Sequence, residues 1–203
     1  MEPMVFDELQ QALARDGVPA AIERLCTKLR ERKDFTGLFY ALLMKKRYEL
    51  GVSPVATGSS QDLPAHTHTA YEEAIREACR LVGNLCLQEG NIPHAWAFFR
   101  MLGEPAPVAE ALLNHQPGEN DDVQQLVHIA FYEGANPRRG FDWIIERFGI
   151  CNAITTLGSQ DLGHSPEVRQ YCIRRIVRSL YGELCERLRH AIASQEGKEP
   201  AWR

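Results

Sequence analysis

A glycine followed within a few residues by a proline recurs four times between segments with a helical apolar period, and this recurrence strongly constrains the fold. The clearest case is residues 79–102, where two amphipathic segments flank a turn at residues 90–93 (Gly-Asn-Ile-Pro). Glycine suits a helix end because it accepts a positive φ, and proline suits the next helix start because its φ is already helical. The pattern therefore predicts helical hairpins, with Gly83 and Ala95 where the two helices of this hairpin cross.

The spacing of the turns resembles that of a known helical repeat. The turn glycines Gly17, Gly51, Gly90 and Gly134 are separated by 34, 39 and 44 residues. The first interval equals the period of the tetratricopeptide repeat, and loops account for the longer two. The hairpin around Gly90 is similar to that repeat in its small, apolar and turn positions, namely Val82, Gly83, Gly90, Ala95, Phe99 and Pro107.

The resemblance implies an all-α, irregular tetratricopeptide-like helical-hairpin solenoid, closed by a long C-terminal amphipathic helix. We expect a single repeat domain over residues 1–203. Its hairpins are expected at about residues 5–32, 34–89 (with a loop at 52–68), 79–115 and 121–149, and its terminal helix at 165–195. Between the last hairpin and that helix, residues 150–165 are expected to form a short helix and a glycine-rich loop.

Two further expectations concern the C-terminal half. A short helix near residues 105–115 should direct Val108, Leu112 and Leu113 inward. Along the terminal helix an apolar residue recurs at every fourth position from Val168 to Leu188, so this helix is expected to cap the solenoid or to form a homodimer. An aromatic residue at position 202, after a polar stretch, is typical of a chain that continues into another element, so the domain is expected to belong to a longer protein.

Composition restricts the functional classes. Hydrophobic residues make up 44% of the 203 residues and charged residues 25%, as in ordinary globular domains. The net charge of -4 disfavours non-specific nucleic-acid binding, which depends on an excess of Lys and Arg. No apolar run reaches the roughly 18 residues of a membrane span, and the first residues do not form a signal peptide. The six cysteines form no CxxC pair, which favours free thiols in the cytoplasm.

The candidate binding residues follow from the resemblance, in which the inner helix of each hairpin lines a concave groove that holds a peptide or a partner helix. Arg80 and Asn84 occupy positions where some tetratricopeptide domains hold a terminal carboxylate. We therefore expect a non-catalytic protein–protein interaction module that needs no cofactor. Its expected contact residues are Arg80, Asn84, Gln88, Lys45, Glu49, Gln124, His128 and Tyr132.

An all-helical enzyme or metal-binding protein is the alternative, with a site formed by loops 52–68 and 149–165. The common catalytic and nucleotide-binding motifs are absent from the sequence, which weakens this interpretation. His66 and His68, together with Asp62, have ligand chemistry suited to a metal ion, and Cys151 with His164 are the catalytic candidates. A third interpretation, nucleic-acid binding through the arginines of the last helix, ranks below both.

Overall fold

The computed structural model describes residues 3–56, 63–118, 121–160 and 165–196. These residues form helices joined by turns and contain no β-strand, so the predicted all-α class is confirmed. The chain divides into two compact units, Met1–Val108 and Ala109–Arg203. A single repeat domain stays a prediction.

The first unit begins with a helix that doubles back on itself. Helix α1 (Pro3–Glu31) is interrupted at Gly17, whose φ of 82° and ψ of -175° are not helical. On a straight helix Glu8 and Lys28 would lie about 30 Å apart. Their side chains form an ion pair of 3.2 Å, so the chain reverses at Gly17, where the sequence has its first turn glycine.

In the described part of this unit, α1 is followed by α2 (Phe35–Glu49), α3 (His68–Gln88) and α4 (Ile92–Leu102). The side chain of Asp34 caps α2, and that of Asn91 caps α4 directly after Gly90, which has a φ of 74°. Helix α3 packs between α2 and α4. A Cβ atom on Gly83 would lie 2.7 Å from the ring of Phe99, so the α3–α4 crossing requires glycine there.

Helix α5 (Ala106–Asn114) corrects one expectation about the core. Val108 and Leu112 are fully buried, as predicted, but Leu113 is 61% exposed. A helix turns about 100° per residue, so the side chain of Leu113 points about 100° away from the buried side chain of Leu112.

The second unit contains two helices that widen before they end. Helix α6 (Val123–Val127) continues into a π segment (His128–Tyr132), and helix α7 (Pro137–Trp143) continues into a second one (Ile144–Phe148). A Cβ atom on Gly140 would lie 2.7 Å from the backbone nitrogen of Phe131, so these two helices approach backbone to backbone. Trp143 is fully buried beside this crossing.

Helices α8 (Gly149–Ser159) and α9 (Pro166–Glu196) follow. The short helix expected within residues 150–165 is therefore confirmed as α8, whereas the loop at 149–165 assigned to the alternative site is wrong for residues 149–159, where Ala153 is buried. Helix α9 begins at the predicted proline and packs on α7 and α8 through Cys172 and Ile176. Within the part of the chain described, no helix has both the length and the apolar content needed to cross a bilayer.

Candidate functional site

Arg80, the central residue of the predicted groove, already holds a carboxylate of its own unit. Its Nε donates to Glu104 Oε2 at 3.0 Å and its Nη2 donates to Oε1 at 2.7 Å. These hydrogen bonds lower the pKa of Glu104. A carboxylate from a partner would have to displace Glu104 from this bidentate ion pair with Arg80.

The other predicted groove residues of the first unit do not all share one surface. Lys45 and Glu49 line an open groove of about 200 Å³ between α2 and α3, where Leu81 lies opposite them. Lys45 Nζ also contacts Glu23 Oε2 at 2.6 Å. Arg80 lines a different depression beside Glu104, and the remaining two predicted residues on α3 are exposed: Asn84 and Gln88.

The residues of the alternative site are dispersed. His66 is exposed in a short 3-10 turn, and His68 Nε2 lies 2.9 Å from the carbonyl oxygen of Leu63. Cys151 is exposed on helix α8 rather than in a loop. Asp62 and His164 lie outside the described residues. Among the residues that the structure describes, no three His, Cys, Asp or Glu side chains converge as metal ligands would.

The second unit contains a pocket lined in part by two of the predicted contact residues, Gln124 and Tyr132. It is an open pocket of about 260 Å³ bordered by helix α6, the two π segments and helix α8. His128 lies next to it, with its ring centroid 5.9 Å from that of Tyr132 and its Nε2 3.2 Å from Glu133 Oε1. We call this the π pocket, and it is lined by Gln124, Val127, Tyr132, Ile144, Phe148, Asn152 and Thr156.

Both π segments contribute residues to the lining of the π pocket: Tyr132 comes from the first, and Ile144 and Phe148 come from the second. In each of them the backbone bonds skip one residue more than in an α-helix, as where Glu133 N donates to His128 O at 2.9 Å. The helix is locally wider, and the side chains that follow are turned relative to an α-helical register. Gly140 lets the second helix approach Ala130 and Phe131 of the first π segment closely. Tyr132 and Phe148, one from each π segment, are partly exposed at the rim. Single π turns of this kind occur frequently at functional sites.

The chemistry of the π pocket is apolar with an uncharged polar edge. Val127 and Ile144 are buried, whereas Tyr132 and Phe148 are 47% and 36% exposed. Asn152 Nδ2 donates to the carbonyl oxygen of Phe148 at 2.6 Å, which fixes the amide near the rim. None of the lining residues is an acid, a lysine, an arginine or a histidine. The π pocket therefore suits an uncharged apolar side chain with amide contacts beside it.

Asn152 and Thr156 were not among the residues predicted from the sequence, because residues 149–165 were expected to contribute a loop to the alternative site. The signal was present: Asn152 and Thr156 are four residues apart, as two side chains on one helix face are. Ala153 is buried, and Asn152 and Thr156 lie on the helix face next to it.

No protein-family model, curated protein or solved structure matches the chain. The function proposed below therefore depends on the geometry of the chain itself.

Proposed function

We propose that the chain is a non-catalytic, tetratricopeptide-like interaction module that binds a peptide or helix of a partner protein. The observation that carries this proposal is the π pocket, because an uncharged apolar pocket with two aromatic side chains at its rim is typical of a site for an anchoring side chain. The free cysteines, of which Cys79 and Cys86 are buried, are consistent with a reducing compartment such as the cytoplasm.

In the proposed complex, one apolar side chain of the partner enters between Tyr132 and Phe148. Burial of a leucine-sized side chain contributes roughly 1.5–3 kcal/mol. At about 1.4 kcal/mol for each factor of ten, this single contact accounts for roughly a 10- to 150-fold gain in affinity. The amides of Gln124 and Asn152 lie at the edge, where they can hydrogen-bond the backbone of the bound segment.

The test is selection of binders from a displayed library of random peptides, followed by fluorescence anisotropy with the selected sequences. We expect the selected peptides to share an apolar anchor. Phe148→Ala removes one side of the π pocket, and Thr156→Phe fills it, so each should weaken binding at least tenfold. Ile154→Ala is the matched control, because Ile154 is also exposed on α8 but lies two residues from Thr156, on the opposite face.

Equal affinity of the selected peptides for Phe148→Ala, Thr156→Phe and the unmodified protein would contradict the proposed role of the π pocket. If Arg80→Ala were the only one of these variants to lose binding, the binding site would be assigned to the first unit, at the groove residues implied by the tetratricopeptide resemblance. Circular dichroism of each variant checks that the helices remain intact.

A further inference from the structure

Helix α9 has a second apolar face that its own unit does not cover. Six of its large apolar side chains are between 44% and 69% exposed. Tyr171 and Arg175 face α7, where each side chain donates a hydrogen bond to Asp142. Leu184 follows Arg175 by nine residues, which is about 180° around a helix, so Leu184 lies on the opposite face. We call this face the α9 stripe, and it consists of Ile173, Val177, Leu180, Tyr181, Leu184 and Leu188.

The spacing of the α9 stripe matches that of a helix–helix seam. Ile173, Val177, Leu180 and Leu184 follow each other at intervals of four, three and four residues, as the core positions of a coiled coil do. From Ile173 to Leu188 the α9 stripe extends about 22 Å at 1.5 Å per residue. The stretch contains no Trp or Phe, and its polar face carries Glu183 and Glu186 beside its arginines instead of being uniformly basic, which favours a protein helix over an anionic lipid surface.

The charges beside the α9 stripe indicate the character of its partner. Toward the C-terminus, Arg187 and Arg189 are paired with Glu183 and Glu186 of the same helix. Three arginines toward the N-terminus are exposed and form no ion pair with the residues that the structure describes: Arg169, Arg174 and Arg178. An acidic flank on a partner helix would complement them.

A second copy of the chain lacks that complementarity. Val177 and Leu184 are seven residues apart, so both can occupy the a position of a heptad, which puts Arg169 at a g position and Arg174 at the following e position. A parallel pair of copies would therefore place Arg169 of each helix beside Arg174 of the other. An antiparallel pair that aligns the seam, with Ile173 on Leu184 and Val177 on Leu180, would place Glu183 of one copy beside Ile176 of the other. Neither arrangement supplies a carboxylate to the exposed arginines.

We propose that the α9 stripe docks an amphipathic helix of another protein whose apolar seam is flanked by acidic residues. This surface is distinct from the π pocket, so the two proposals can fail independently. Rim arginines of this kind steer association and select the partner, while the six apolar side chains of the α9 stripe supply the buried apolar area.

Two synthetic helical peptides test the proposal with the full chain. Both are about three heptads long with the same leucine seam, and their flanking positions carry either glutamate or lysine. We expect the glutamate peptide to bind at least tenfold more tightly than the lysine peptide in anisotropy titrations. Leu184→Ser should abolish this binding, and the double substitution Arg174→Gln and Arg178→Gln should remove most of the preference. Met101→Ser, at an exposed position of the first unit, is the control and should leave binding unchanged.

Several outcomes would overturn the proposal. Equal affinity for the two peptides, or unchanged binding by Leu184→Ser, would exclude a charge-selective helix seam. Sedimentation of the protein with phosphatidylserine vesicles, lost in Leu184→Ser, would assign the α9 stripe to a membrane surface. A dimer in analytical ultracentrifugation that Leu184→Ser converts to a monomer would assign it to a second copy. Loss of peptide binding in Phe148→Ala but not in Leu184→Ser would point to the π pocket instead.

Discussion

Replacing Gly140 by alanine tests whether the two widened helices depend on backbone contact. An added Cβ would lie 2.7 Å from Phe131 N, 2.8 Å from Phe131 Cβ and 2.9 Å from Ala130 Cβ. All three atoms belong to a helix backbone or are fixed directly to it, so no flexible side chain can move aside. Inserting a methyl group into such a contact typically costs about 1–3 kcal/mol.

Alanine also has a higher helix propensity than glycine, by about 1 kcal/mol, so the net effect of Gly140→Ala depends on whether the clash is larger. Gly182→Ala is the matched control, because Gly182 lies inside helix α9 with no atom within 4 Å of an added Cβ. We expect urea unfolding to show Gly140→Ala less stable than the unmodified protein by up to roughly 2 kcal/mol, and Gly182→Ala more stable by a few tenths to about 1 kcal/mol. A Gly140→Ala protein as stable as Gly182→Ala would refute the close helix crossing.

Asp142→Asn should lower the free energy of urea unfolding by roughly 1–3 kcal/mol, because it removes the charge that Arg175 Nε contacts at 2.6 Å in a half-buried site. A change below about 0.5 kcal/mol would show that this pair contributes no more than an ordinary surface contact. Stability should also decline from pH 9 to 11, because burial raises the pKa of Cys86 and Cys172 to about 11 and the unfolded thiols therefore lose their protons first. Alanine at both cysteines should make this decline shallower, and an unchanged slope would contradict the assignment.

Features set by neighbours in sequence could be predicted, and Gly90 with Asn91 is the clearest example. A positive φ at Gly90 and a side-chain cap from Asn91 to the backbone N–H of His94 involve only a few consecutive residues. The same reasoning gave the start of α9 at Pro166. Local chemistry of this kind is sufficient to end one helix and begin the next.

Features that depend on which helix faces meet could not be predicted. The pairing of Arg80 with Glu104 joins residues 24 positions apart, and the resemblance to a repeat assigned Arg80 to a partner instead. The burial of Trp143 likewise involves a residue distant in sequence, because its ring centroid lies 6.4 Å from that of His115. On helix α9, the apolar residues at every fourth position drift about 40° per step, so Cys172 faces the unit while Leu188 has turned away from it.

The two π segments have a consequence for how this chain can be altered. Each inserts one residue into an otherwise α-helical path, and one residue corresponds to about 100° of rotation. Deleting a single residue from the segment His128–Tyr132 would restore the α-helical phase and leave the length of the hairpin almost unchanged. Because the π turn absorbs one residue, the side chains beyond the deletion would keep their directions, whereas the widened turn beside the π pocket would be lost. A variant library that permits one-residue deletions should therefore separate the requirements of folding from those of recognition more cleanly than substitutions do.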